Sequence, residues 1–94
     1  MFVVLLKFAD KSKAGQFLDG HKAWLNRGFD EGVFLLGGSL QPDLGGALLV
    51  HNTSLPDLQG RVDADPFVAN GVVTPEILEI KPSRVDDRLK FLAV

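Results

Sequence analysis

A chain of 94 residues has room for one hydrophobic core, and a composition that is 46% hydrophobic and 23% charged describes a globular domain, not a disordered or fibrous one. A formal net charge of −2, with the lysines and arginines scattered, excludes the basic footprint of a nucleic-acid binder, and the absence of cysteine excludes disulfide scaffolds, thiolate metal sites and thiol catalysis. No run approaches the ~20 apolar residues of a membrane span. The expectation is therefore a cytoplasmic protein with no membrane or nucleic-acid partner.

Phe2 to Ala9 is short and dense in β-formers, which predicts a strand buried on at least one face and central in its sheet. The run Phe2-Val3-Val4-Leu5-Leu6 lacks the basic start and small-residue cleavage pattern of a leader. Asp10 or Ser12 can cap the helix predicted over Lys13 to Gly32, where Gly32 suits the left-handed C-terminal position. At about 100° per residue, Phe17, Leu18, Trp24 and Leu25 form one stripe of that helix, with His21 near its middle. A histidine there requires a polar partner or a cavity. The opposite face, including Lys13, Gln16, Asp19, Lys22 and Asn26, reads as solvated surface.

Val33 to Leu40 is predicted as a second strand that becomes irregular at Gly37-Gly38, and Ala47 to His51 as a third, joined through a hairpin loop longer than two residues. Ser54 or Thr53 caps a short helix from about Pro56 to Ala64. Asp65-Pro66 interrupts it, because a residue before proline avoids the α region. Phe67 to Gly71 adds one helical turn. Val72 to Lys81 is the fourth strand, placed at an edge or bulge by Pro75. The tail from Ser83 to Val94, with Ser83 as a cap and Asp86 and Asp87 in the first turn, is expected to be a short helical extension of a single domain spanning residues 1–94.

The order β-α-β-β-α-β is the split βαβ arrangement: an α+β, ferredoxin-like fold whose antiparallel sheet carries helices on one face. Strands that are apolar at nearly every position then leave an apolar outer face too large for a monomer. The expected partner for that face is a second copy, a homodimer packed sheet to sheet.

Two histidines bear on chemistry. His51 ends a strand beside Asn52 and Thr53 and reads as a strand-end residue. His21 has two readings: a hydrogen-bonded core histidine, or a proton-transfer group oriented by a carboxylate. Asp65 is the nominated carboxylate, since the bend before Pro66 fixes its backbone and both helices share one sheet face; its alternative role is a cap. Asp63 reads as solvated. Gly37-Gly38-Ser39 and Gly45-Gly46 have neither the P-loop nor the dinucleotide-binding spacing, so they signify hairpin geometry or a pocket edge, with Gly38 and Ser39 as ligand contacts. Trp24 and Phe17 are either simple core or walls of an apolar cavity for a small organic ligand, and Phe67 is counted with them. No metal-ligand spacing is present.

Together these pieces resemble the YCII-related (YciI-like) family. The likeness runs to about Pro82: a short first strand, His21-x-x-x-Leu25 on a helix, Gly32 through Ser39, Gly45-Gly46, Asp65-Pro66-Phe67, and Gly71 before the last strand. It implies a ferredoxin-like fold assembled as a dimeric α+β barrel, with His21 and Asp65 as an active-site pair. Most members have no assigned reaction; a characterised relative is a dehydrochlorinase acting on a chlorinated hydroxyquinol. The wider superfamily includes muconolactone isomerases and small monooxygenases. The chain departs from the family at Gly38-Ser39, where many members have Gly-Pro, and at Asp43-Leu44, where a related branch has a basic residue and threonine. Both positions flank the expected pocket entrance, so the substrate is not carried over with the fold.

The expectation is thus a cofactor-independent enzyme transferring a proton on a small cyclic or aromatic compound, by elimination or isomerisation. The alternative is a non-catalytic ligand-binding or structural dimer with His21 as a core residue.

Overall fold

Strict alternation governs the first strand. In the computed structural model, which describes residues 1–93, β1 (Phe2–Phe8) buries Phe2, Val4 and Leu6 on one face and turns Val3, Leu5 and Lys7 to the other. It pairs antiparallel with β3 (Gly45–Val50) on one side and β4 (Val73–Glu79) on the other, while β2 (Phe34–Leu40) pairs with β3. The strand order is β2-β3-β1-β4, with β1 inside and Pro75 on an edge strand, where a missing N–H costs no ladder bond. The helices are α1 (Ala14–Asp30), α2 (Leu55–Asp63) and the single turn α3 (Pro66–Ala69), so the topology is the ferredoxin-like β-α-β-β-α-β.

The core lies between the sheet and the helices. Val4, Leu48, Val50 and Val73 from the strands meet Trp24 of α1, Leu58 and Val62 of α2, and Phe67 of α3. Closeness of α1 to β2 depends on Gly28: a Cβ there would lie 2.2 Å from the Phe34 ring. The helix then ends as its sequence requires, with Gly32 at φ +74°.

Local polar residues start most of the helical segments. Asp10 caps a 3₁₀ turn, Lys11–Lys13, that precedes α1, and its hydrogen bond from the Ser12 hydroxyl holds the carboxyl below its usual range. Ser54 caps α2. In the tail, a 3₁₀ segment over Asp87–Leu92 is capped by Asp86, not Ser83 as expected, because the Asp86 carboxylate accepts the Arg88 N–H. Val94, the end of that predicted tail, lies outside the described residues.

The hairpin departs from expectation in two ways. Pairing continues through Gly37, Gly38 and Ser39, and the irregularity falls earlier, between Phe34 and Leu36. β3 begins two residues before the predicted start, because Gly45 and Gly46 pair with Leu40 and Ser39. Glycine lacks strand propensity, but the register set by the apolar residues beyond carries both into the ladder.

Candidate functional site

The site is built where α1 meets the corner between α2 and α3. Asp65 precedes Pro66 and is accordingly extended, at φ −63° and ψ 124°, which turns its side chain back onto α3. Its Oδ1 accepts the Phe67 N–H at 3.0 Å, capping that turn. The same oxygen lies 2.8 Å from Nδ1 of His21. Asp65 is fully buried, whereas the His21 side chain retains 14% exposure. The second oxygen, Oδ2, is buried with no hydrogen-bond partner among the described residues.

Two further contacts set the imidazole. Its ring lies on the Phe67 ring, with centroids 4.0 Å apart and planes 2° from parallel. One residue earlier, Gly20 faces Pro66, whose Cγ would be 3.0 Å from any Cβ. Glycine at this position lets α3 approach α1 closely enough for His21 to reach Asp65. In the sequence Gly20 reads only as a weak point of the helix; its packing role depends on a long-range contact.

His21 borders a cavity of about 400 Å³ between α1 and the sheet, with Asp65 buried behind it. Leu6, Phe8, Leu25, Phe29 and Phe67 line it together with His21, Gly38, Ser39 and Gly46. His21 and Ser39 supply the polar side chains among its lining residues. His21, Leu25 and Phe29 follow at four-residue intervals on α1, and Leu6 and Phe8 at two-residue intervals on β1. Helical and strand periodicity thus contained Phe8 and Phe29 as walls, although neither was singled out.

Of its two expected roles Trp24 takes that of core, not that of a ligand-contacting wall. It is buried in the core, donates its indole N–H to the Arg61 carbonyl at 2.8 Å and does not line the cavity. On the helix it lies three residues from His21, about 300° around, and its large ring follows the deeper side of the stripe toward Phe34. His51 follows β3 and packs edge-on against Phe91 of the tail, 5.6 Å between centroids, away from this site. Asp63 is exposed. No group of three or more histidines and carboxylates converges for a metal among the described residues, nor is any helix there long and apolar enough to cross a membrane.

An imidazole with one nitrogen on a buried carboxylate, at the edge of an apolar cavity, is equipped to accept and return a proton. Because the carboxylate accepts from Nδ1, the neutral ring carries its hydrogen there and leaves Nε2 with a free lone pair.

No family model matches the chain, and no curated protein matches it. Among solved structures it is similar to 5-chloro-2-hydroxyhydroquinone dehydrochlorinase (TftG) from Burkholderia phenoliruptrix AC1100, described in complex with 2,5-dihydroxybenzoquinone. The TM-score is 0.63 at 16% sequence identity, covering 86% of this chain and 94% of that one. This likeness shows the fold, the α+β arrangement of a four-stranded antiparallel sheet with helices on one face.

Proposed function

We propose that this protein is a small YciI-like enzyme in which His21, oriented by Asp65, moves a proton on a small cyclic or aromatic compound held in the cavity. The observation that carries the reading is the 2.8 Å contact between His21 Nδ1 and the fully buried Asp65, at the edge of an apolar cavity. In an elimination from a hydroxylated, chlorinated ring, Nε2 takes a hydroxyl proton and delivers it to the chlorine-bearing carbon, giving the keto tautomer; loss of a second hydroxyl proton to water then sends its electron pair through the ring, chloride departs with the C–Cl pair, and a quinone remains. The imidazolium so formed faces the carboxylate of Asp65, which stabilises it without taking the proton. In an isomerisation the same nitrogen returns the proton to another carbon. Neither route requires a cofactor. Phe67 fixes the plane of the imidazole, and Gly38 and Ser39 border the space in which the ring lies.

An oriented base contributes ~10²–10⁴-fold, enough for an activated substrate. The first assay is chloride release from a chlorinated hydroxyquinol, the type of substrate on which the structurally similar dehydrochlorinase acts. The wild-type protein is expected to release chloride, and His21→Gln to do so at least ~10²-fold more slowly while its circular dichroism is unchanged. Equal rates in the two proteins remove His21 from the mechanism, and no release from the wild type removes dehydrochlorination.

A second reading rests on the dual role of Asp65, which caps α3 as well as holding His21. On this reading the protein is a non-catalytic ligand-binding or structural module and His21 is a satisfied core residue. Two measurements separate them: an Nε2 that never responds by nitrogen-detected NMR to a ligand in the cavity supports the structural role, and one that responds without any turnover supports ligand binding alone.

A further inference from the structure

The two adjacent glycines of β3 have different physical reasons. Gly45 sits at φ +133°, and a Cβ on it would come 2.0 Å from the Leu6 carbonyl oxygen, so the backbone itself forbids a side chain. Gly46 has no such constraint. Its φ lies outside the left-handed region, and the nearest atom to a Cβ would be the Gly38 carbonyl oxygen at 3.4 Å, an ordinary contact. A glycine in a strand interior costs stability, roughly 0.5–1 kcal/mol relative to alanine, so folding alone disfavours this choice.

The direction in which Gly46 lacks a side chain supplies the missing reason. Its cross-strand partners are Leu6 on β1 and Ser39 on β2, and directly opposed residues share a face of the sheet. Leu6 is buried on the helix-covered face, and Leu6, Ser39 and Gly46 all line the cavity that His21 borders. A side chain on Gly46 would therefore stand inside that cavity. Without one, the floor between the Leu6 and Ser39 side chains is bare peptide backbone of β3.

We propose that Gly46 is the shape-determining residue of the cavity: it keeps a backbone floor on which a planar ring lies, and it selects flat, unsaturated rings over puckered, saturated ones of the same size. This deepens the proposed function by specifying the geometry of its substrate, and it rests on that reading only for the claim that the cavity takes a small organic ligand.

The test uses a matched pair of probes, hydroquinone and 1,4-cyclohexanediol, titrated by NMR into the wild type, Gly46→Ala, Gly46→Val and the remote control Gly60→Ala. In the wild type hydroquinone is expected to bind at least ~5-fold more tightly than the diol, with shifts at Ser39 and Leu6. Gly46→Val is expected to weaken hydroquinone ~10-fold or more and to abolish the preference, with Gly46→Ala intermediate and Gly60→Ala unchanged. Melting temperatures are expected to stay level or rise by up to ~5 °C in the Gly46 variants, since a strand glycine is being replaced where there is room. Opposed changes in binding and stability are the signature, because a purely structural glycine loses both. Unchanged hydroquinone binding in Gly46→Val overturns the proposal, as does a fall in melting temperature of that size in Gly46→Ala, or a wild type that binds the two probes equally or not at all. The proton-transfer reading fails separately: His21→Gln that still turns over substrate refutes that reading while leaving the Gly46 result intact.

Discussion

Asp65 serves two partners with one carboxylate oxygen. Oδ1 takes the Phe67 N–H and stands against His21 Nδ1, and complete burial removes water as a substitute for either contact. Removal of the side chain therefore unmakes a helix cap and strips a part-buried imidazole of its acceptor. Asp65→Ala is expected to destabilise the fold by about 2–4 kcal/mol, from a cap worth about 1 kcal/mol and an unsatisfied buried donor worth about 1–3 kcal/mol. Asp65→Asn keeps an oxygen for the cap and should cost far less, while lowering turnover because the imidazolium loses its counter-charge. Urea denaturation of both variants tests this, and a loss below about 0.5 kcal/mol for alanine contradicts the double role. Much of this residue's position was legible, since a carboxylate before proline on a helix corner has few backbone options. That it reaches His21 was not, because the contact depends on Gly20 admitting Pro66.

Within α1 the spacing of small residues matters as much as the apolar stripe. Gly28 lies against the Phe34 ring, where even one methyl group has no space. Gly28→Ala is expected to lower stability by about 1–3 kcal/mol through overpacking, although alanine is the better helix former by about 1 kcal/mol. Gly60, in the middle of α2, has nothing within 4 Å of a Cβ, and Gly60→Ala should gain up to about 1 kcal/mol. Thermal unfolding of the two variants must therefore shift in opposite directions; shifts of the same sign refute the packing account. The amphipathic pattern identified α1 and its inner face. It did not divide that face between Trp24, which seals the core, and His21, Leu25 and Phe29, which border the cavity.

At the scale of the molecule, one face of the sheet is covered by helices and the other is not. Val3, Leu5, Leu36, Leu49 and Leu78 project from the uncovered side, with Leu36 55% and Leu78 46% exposed. Such a face is costly to leave in water, and we propose that a second copy covers it, sheet to sheet, around a twofold axis. Sedimentation should give a dimer for the wild type. Leu49→Glu, a charge placed opposite Val3 and Leu36, should give a folded monomer. A monomeric wild type, or a dimer untouched by the charge, excludes this face as the interface.

The sequence by itself determined the order of elements, a sheet with helices on one face, a cap at Ser54 or Thr53 and the choice of His21 and Asp65 as the residues worth joining. All of these rest on local physics: periodicity, proline and glycine backbone preferences, and the discomfort of a histidine on an apolar stripe. Tertiary structure alone decided that His21 and Asp65 meet, that Trp24 turns away from the cavity, and that of two neighbouring glycines one serves the backbone and the other leaves the cavity floor bare. Those outcomes depend on distances between segments far apart in the chain, where a shift of an ångström separates a contact from a clash, and no local pattern encodes them.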